Sequence, residues 1–528
     1  MNWRILLLLG VALAGAVFAG MWLFEAEEET VDLTLLHTND VHAHYDSFEP
    51  WGEVMQGGAA HLKTAVDDVR ADEKNVLLLD AGDQFQGTLF YTVGGADVVA
   101  DVMNALGYDA MCVGNHEFDS GPAELAKLIE LADFPVLSAN VDATADPDLS
   151  PGILPFALYR FDDTPVAVFG LTTEYTAVSS SPGPDVVFLD AIATARETVS
   201  SLETAGVDII IALTHLGYER DLELARGVSG IDVVVGGHSH TLLGSVEGAV
   251  ADYPTVVVGP GGEPVLVVTA QEWGKWLGRL DVSFTETGRI ASYDGEPVFI
   301  DATIPSDAGI AGILDEYRPA IDALMTQSVG TTNVILDGDR DRVRSQETNL
   351  GNLICDAMVW KTAAQGVTIA VQNGGGVRST IPAGDISMGQ VLEVLPYGNQ
   401  IAVLSLSGAQ LEAALENGVS QIESGAGRFA HVAGVRYTYD PDAAAGGRIR
   451  SVETWDEGNA TYVPVDPGAV YRIATNNYLA DGGDDYFAFT EASERYDTGW
   501  LVSDTFAEYL TAVGSVAPHV EGRITTSE

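Results

Sequence analysis

The residues best equipped for chemistry lie in short polar stretches, each following an apolar run. Gly114-Asn115-His116-Glu117-Phe118-Asp119 comes after Ala110–Val113, which reads as a buried strand. A turn that opens on glycine can aim Asn115 and His116 into a cleft. Asp119, three residues on, can accept the second imidazole N–H of His116, fixing its tautomer and raising its basicity, which is how a general acid is held ready. Taken alone, the stretch reads equally well as a capped turn with a surface histidine. Its company separates the two. Asn39-Asp40-Val41-His42, Gly82-Asp83, Thr214-His215 and His238-Ser239-His240 also follow apolar runs. Seven of the ten histidines (His37, His42, His44, His116, His215, His238 and His240) fall in these stretches or within two residues of one.

Asp40, His42, Asp83, Asn115, His215, His238 and His240 form a mixed oxygen and nitrogen donor set without thiolates, suited to Zn, Mn, Fe or Co. Seven donors are too many for one tetrahedral ion. Two divalent ions ~3.5–4 Å apart, sharing one carboxylate, would use them all, with Asp83 as the candidate bridge. Such a pair activates water between the ions and neutralises phosphoryl oxygens. His116, outside the donor set, is left to protonate a leaving alkoxide or to bind a phosphoryl oxygen, oriented by Asp119. His37 and His44 are placed outside the ligands.

The elements that must position these groups follow a layered α/β pattern. Val31–Leu36, Val76–Leu79, Ala110–Val113, Val166–Leu171, Val207–Leu213 and Asp232–Val235 read as strands, and Ala59–Val69 as an amphipathic helix. Strands sharing one sheet would line one edge with their polar ends, where α/β proteins place their sites. From Ile304 to Val329, apolar residues at helical spacing (Ile310, Ile313, Leu314, Tyr317, Ile321, Leu324) indicate a connector helix. A second α/β unit follows, with a helix over Leu350–Lys361, a strand over Val367–Val371 and a Gly-rich turn over Asn373–Gly376.

Length and charge set the bounds. A chain of 528 residues exceeds one ordinary core and implies two domains. The formal net charge of -52, from 77 acidic and 25 basic residues, excludes duplex nucleic acid as a partner. Such an acidic, Lys-poor surface is expected of a halophilic protein, because molar salt screens charge over ~3 Å. Arg4 precedes an uncharged run, Ile5–Phe24, followed by Glu25, Glu27, Glu28 and Glu29. At ~20 residues this run is a signal peptide or, favoured by its length, an uncleaved membrane anchor; both place the body outside the cytoplasm. Cys112 and Cys355 lie far apart in apolar runs and read as buried thiols. Nothing in the sequence sets an oligomeric state.

Four stretches of the second unit complete the inventory: Arg344–Asn352, Asn373-Gly374-Gly375-Gly376-Val377-Arg378, Leu395–Asn399 and Asn476–Asp484. Arg344 and Arg378 can grip a phosphate or carboxylate through paired N–H groups. Gly375 and its neighbours let backbone approach a ligand, Tyr397 and Tyr478 can sandwich a planar ring, and Asp484 can bind ribose hydroxyls.

In wording and order, Leu36–His42, Gly82-Asp83, Gly114–Asp119, Thr214-His215 and Gly236–His240 resemble the motifs of calcineurin-like metallophosphatases in their extracytoplasmic 5′-nucleotidase form. The four C-terminal stretches resemble that family's nucleotide-binding domain. The resemblance runs from Val31 to the end of the second unit. It implies a four-layer α/β/β/α metallophosphatase sandwich over 31–303, a connector over 304–330 and an α/β substrate-binding domain over 331–528; residues 1–30, read above as signal or anchor, lie outside the resemblance. It assigns one metal to Asp40, His42, Asp83 and His240 and the other to Asp83, Asn115, His215 and His238, and it makes His116 and Asp119 the catalytic dyad. Some members carry an amide at the position of His240. Residues matching Arg344, Asn373 and Arg378 contact substrate, and aromatic residues at Tyr397 and Tyr478, where the family usually has Phe, clamp the base. The implied activity is metal-dependent hydrolysis of nucleoside 5′-monophosphates, extending to di- and triphosphates or UDP-sugars. The alternatives are a 2′,3′-cyclic-nucleotide phosphodiesterase/3′-nucleotidase and a surface nucleotide-binding or adhesion protein without catalysis. A substrate divided between two domains also implies that the domains close over it.

Overall fold

The computed structural model describes residues 30–48, 54–150, 152–456, 458 and 461–527; the apolar run at residues 5–24 lies outside them. Among the described residues no helix is long and apolar enough to cross a membrane.

The N-terminal domain is built on two six-stranded sheets. Its strands are β1 (Thr30–Thr38), β2 (Val76–Asp80), β3 (Ala110–Cys112), β4 (Val136–Leu137), β5 (Phe156–Phe161), β6 (Thr164–Thr172), β7 (Ile209–His215), β8 (Val233–Gly236), β9 (Thr255–Val258), β10 (Pro264–Val268), β11 (Trp276–Thr285) and β12 (Ile290–Phe299). The first sheet runs β12-β11-β1-β2-β3-β4 and the second β9-β10-β8-β7-β6-β5. The polar stretches therefore end strands of two sheets rather than one. Alternation places Leu33 and Leu35 of β1, Leu77 and Leu79 of β2, and Ile209, Ile211 and Leu213 of β7 in the core between the sheets.

Helices cover both outer faces. α1 (Ala59–Asp72), α2 (Leu89–Leu106) and α3 (Pro122–Leu131) pack on the first sheet, and α4 (Ala191–Thr204) and α5 (Tyr218–Gly227) on the second. The result is the expected four-layer sandwich. Cys112 and Cys355 are buried free thiols in separate cores.

Helix α6 (Ala308–Met325) begins at Asp307, whose side chain accepts the Ile310 N–H. It lays Ile310 and Leu314 onto the N-terminal core, while Leu324 packs on the C-terminal core. The helix occupies the middle of the 304–330 stretch; Ser328–Thr332 already form a strand paired with Gly384–Ser387. The C-terminal domain then builds a five-stranded sheet from β13 (Ile369–Asn373), β14 (Gln400–Ser407), β15 (Ala430–Ala433), β16 (Val470–Asn476) and β17 (Glu494–Leu501), in the order β15-β13-β16-β14-β17. α7 (Asn349–Thr362) and α8 (Val502–Val513) pack on it.

Just before β8, the Asp232 carboxylate accepts the Ile210 N–H at 2.9 Å. Burial, with Asp208, Glu203 and Glu263 nearby, pushes this carboxyl up to about 8 from 3.8. Unfolded, it ionises near its ordinary value, so the folded state holds an extra proton between the two values. Its contribution to stability is full below that window and lost as pH rises through it. Asp232→Asn cannot ionise, so its melting temperature relative to the parent should climb between about pH 4 and about pH 8. A difference that does not vary with pH would contradict this.

Candidate active site

The register of the parallel strands brings the polar loops together. Thr38 of β1 pairs with Asp80 of β2, so the two following loops run side by side. Asp40 N–H donates to Gly82 O at 2.9 Å and His42 N–H to Asp83 O at 3.0 Å. In the second sheet, Thr172 of β6 lies beside His215 of β7, and Thr214 beside Gly236 of β8. Bonds between the sheets then close the cleft. His215 Nδ1 donates to Ala81 O at 2.7 Å, and His238 N–H donates to Asp40 Oδ2 at 2.9 Å.

Asp40, His42, Asp83, His238 and His240 all adopt positive φ, a rare state for residues other than glycine. Backbone strain concentrated on the donor residues of one cleft is the mark of a functional site. Gly114 allows a close approach, since a Cβ there would collide with Asp83 Oδ1 and lie 2.6 Å from Asp83 N.

The donor atoms gather as Asp40–His42–His240, His42–Asp83–His116 and Asp83–His215–His238, each group lying within 4.8 Å. Asp83 and His42 each belong to two of the groups, and Asp83 is the carboxylate of the two. Asn115 Oδ1 lies 3.2 Å from His215 Nε2, bringing Asn115 to the same point. All seven expected ligands therefore converge.

The chemistry of His215 tests whether cations fit. A carbonyl only accepts, so Nδ1 facing Ala81 O carries the proton, and Nε2 of the neutral ring points a lone pair at Asp83 Oδ2, 3.0 Å away. Lone pairs converge there and require a positive charge. Without metal that charge is a second proton: burial opposes it, but Asp83 and Asp40 win and push His215 up to about 10. Burial likewise works against the Asp83 anion, yet His215, His116 and His42 hold its carboxyl well below the usual range. Divalent cations would replace such protons, so loading the site releases them. When bound, they supply Lewis acidity to phosphoryl oxygens and to water.

His116 is arranged differently. Its Nδ1 lies 2.6 Å from Asp119 Oδ2, and Ser180 Oγ donates to Asp119 Oδ1 at 2.6 Å, so the dyad is fixed from behind. Burial lowers the imidazole's affinity for protons, but Asp119 and Asp83 reverse this and push His116 up to about 9. A protonated Nε2 facing the cleft is what a general acid needs. His37 is fully buried, with Nε2 2.8 Å from Tyr253 OH, and His44 stacks on Trp273 at 4.5 Å; both act in packing.

Two carboxylates that the motifs did not single out complete the site. Glu117 is fully buried and accepts the backbone N–H groups of Asp83, Gln84, Phe85 and Gly114 at 2.7–3.1 Å, tying the Asp83 loop to the His116 loop. Its signal was its position, a charge inside the key stretch beside buried Phe118. Glu272 contacts His240 from the turn after β10, another polar stretch behind an apolar run.

The second cluster forms in the C-terminal domain. Arg344, Asn373, Gly375, Arg378, Tyr397, Tyr478 and Asp484 line one cavity of about 210 Å³, together with Gly376, Asn399 and Gly427. Asp484 is its keystone: Asn373 Nδ2 donates to Oδ2 at 2.9 Å, Tyr478 OH donates to Oδ1 at 3.2 Å, and the Asp484 N–H donates to Tyr478 OH at 3.1 Å. The Arg378 guanidinium lies 5.7 Å from the Tyr397 ring centre. Among the described residues, none of the N-terminal domain lines this cavity. The C-terminal residue against His116 is Gly499, where a Cβ would lie 2.8 Å from Nδ1, and Tyr496 packs edge-on to Tyr175 at 5.6 Å.

Comparison with known proteins agrees with this construction. Residues 33–242 match the calcineurin-like phosphoesterase model and residues 328–491 the 5′-nucleotidase C-terminal domain model. The chain is 37% identical to human 5′-nucleotidase, over 98% of this chain and 93% of that protein. It is 41% identical to the trifunctional nucleotide phosphoesterase protein YfkN of Bacillus subtilis, over 93% of this chain but 35% of that much longer protein. The crystal structure of a 5′-nucleotidase precursor from Thermus thermophilus shares 45% identity over 94% of this chain and 99% of that one, with a TM-score of 0.62. Two domains, a phosphoesterase metal cleft and full-length relatives of one kind lead to one conclusion: the chain belongs to the 5′-nucleotidase family of phosphoesterases.

Proposed function

We propose that the protein hydrolyses nucleoside 5′-monophosphates to nucleoside and phosphate, with two divalent cations held by the seven donors and His116–Asp119 as the acid. The observation that carries this is the C-terminal cavity. Four stretches distant in sequence place two guanidinium groups, two phenol rings and one carboxylate around a space sized for a nucleoside, in a chain with a net charge of -52. Arginines there serve an anion, the rings serve a base and Asp484 serves a diol.

In the reaction, Arg344 and Arg378 steer the nucleotide, and Tyr397 and Tyr478 hold the base. His116 Nε2 delivers its proton to the 5′ oxygen as the P–O bond breaks, and Asp119 steadies the imidazole through the transfer. Because the metal donors and the nucleotide seat lie on different domains, turnover requires the domains to rearrange so that both reach one substrate. A TM-score of 0.62 at 45% identity supports an arrangement that varies between relatives. An extracytoplasmic location is part of the same proposal, supported by residues 5–24 and by the precursor status of the Thermus relative.

The Bacillus relative's description as trifunctional gives weight to a second reading, activity on 2′,3′-cyclic and 3′-nucleotides. Phosphate release from AMP, ADP, ATP, UDP-glucose, 3′-AMP and 2′,3′-cyclic AMP, with Mn, Zn or Co, separates the two. Preference for AMP supports the proposal, and preference for the 3′ or cyclic substrates replaces it. Tyr397→Ala with Tyr478→Ala should raise KM for AMP by ~10-fold or more, since stacking contributes ~1–3 kcal/mol per base, while sparing 4-nitrophenyl phosphate. Equal losses on both substrates would contradict a base clamp.

A further inference from the structure

His240 reaches in two directions. Its Nε2 lies 3.3 Å from Asp40 Oδ1, within the Asp40–His42–His240 group, and its Nδ1 lies 2.7 Å from Glu272 Oε2. An ionised carboxylate only accepts, so Glu272 places the neutral ring's proton on Nδ1 and leaves the Nε2 lone pair for a cation.

Glu272 is itself held. Lys275 Nζ donates to Glu272 Oε1 at 2.9 Å and sits 4.9 Å over the Trp273 ring. The turn carrying all three is anchored to the site, because Trp273 N–H donates to Asp40 O at 2.8 Å. His42 and His215 rest their Nδ1 atoms on the backbone carbonyls of Phe85 and Ala81, partners that no side-chain substitution removes. His240 instead depends on a side chain.

We infer that Glu272 is the positioning residue that makes His240 a metal ligand, and that Lys275 acts through it. Together they set the cation affinity of the half-site formed by Asp40, His42, Asp83 and His240. The inference concerns metal binding and is independent of which phosphoester is the substrate.

The test is metal titration of the full chain, following stoichiometry and affinity with Mn²⁺ or Zn²⁺ against a chromophoric chelator. Glu272→Ala should weaken one of two equivalents by about 10- to 100-fold and leave the other unchanged. Glu272→Gln, whose amide oxygen accepts the same N–H, should recover most of that loss. Lys275→Met, which keeps the aliphatic stem over Trp273, should weaken the same equivalent by less.

His240→Gln supplies an amide oxygen that needs no ring tautomer, so adding Glu272→Ala to it should cost nothing further. This comparison separates positioning from damage to the fold, because a structural defect would appear in both backgrounds. Two equivalents bound at parental affinity by Glu272→Ala would overturn the inference, and so would an equal loss from Glu272→Ala in the His240 and Gln backgrounds.

Discussion

Joining the two domains in the arrangement seen here should abolish nucleotide hydrolysis while leaving the metal site loaded. Tyr175 and Tyr496 face each other across the cleft with ring centres 5.6 Å apart, and neither belongs to the donor set or lines the C-terminal cavity. Tyr175→Cys with Tyr496→Cys, bridged by a short cleavable thiol linker, fixes this relation. The native thiols, Cys112 and Cys355, are buried and will not compete. In this arrangement the C-terminal cavity draws no residue from the N-terminal domain among the described residues, and Gly499 lies on His116. Misplacement by even 1 Å can cost ~10²-fold, so AMP turnover should fall by at least that much and return when the linker is cleaved. Metal content should not change, and 4-nitrophenyl phosphate, which needs no base seat, should lose less. Full AMP turnover in the linked protein would show that one arrangement suffices for catalysis.

His116→Asn should lower kcat for AMP by ~10²–10⁴ with both metals retained, the usual contribution of a general acid. The loss should depend on the leaving group. A nucleoside 5′ alkoxide needs a proton as it departs, whereas 4-nitrophenolate is stable without one. The aryl ester should therefore lose much less than AMP. Asp119→Asn should fall in the same direction, because an amide at Asp119 no longer holds the imidazole in one tautomer or stabilises its charged form. Equal losses on both esters would assign His116 to phosphate binding instead, and unchanged AMP turnover would remove it from the mechanism.

Most of the metal cleft was legible in the sequence because its donors sit at the ends of short apolar runs, where a strand must release its chain. The strand expected at Val76–Leu79 forms as Val76–Asp80, and the one at Asp232–Val235 as Val233–Gly236. Apolar periodicity reports burial but not a strand's neighbours. The division of the polar ends between two sheets therefore came from pairing such as β1 with β2 and β7 with β8. Glu117 was visible as a residue, but its partners are backbone N–H groups mostly in another loop, which spacing does not reveal. Glu272 required knowing that the turn after β10 folds back onto Asp40. In the C-terminal domain, residue types suggested an anion and a ring. The bridging of Asn373 and Tyr478 by Asp484 is a tertiary fact.

In the proposed reaction water attacks phosphorus and His116 protonates the departing nucleoside oxygen. Hydrolysis of AMP by the metal-loaded chain in ¹⁸O-water measures it directly. Each phosphate released should carry one ¹⁸O and adenosine none, and the reaction should be lost when chelator removes the metals. Label in adenosine, or release that survives complete metal removal, would contradict it.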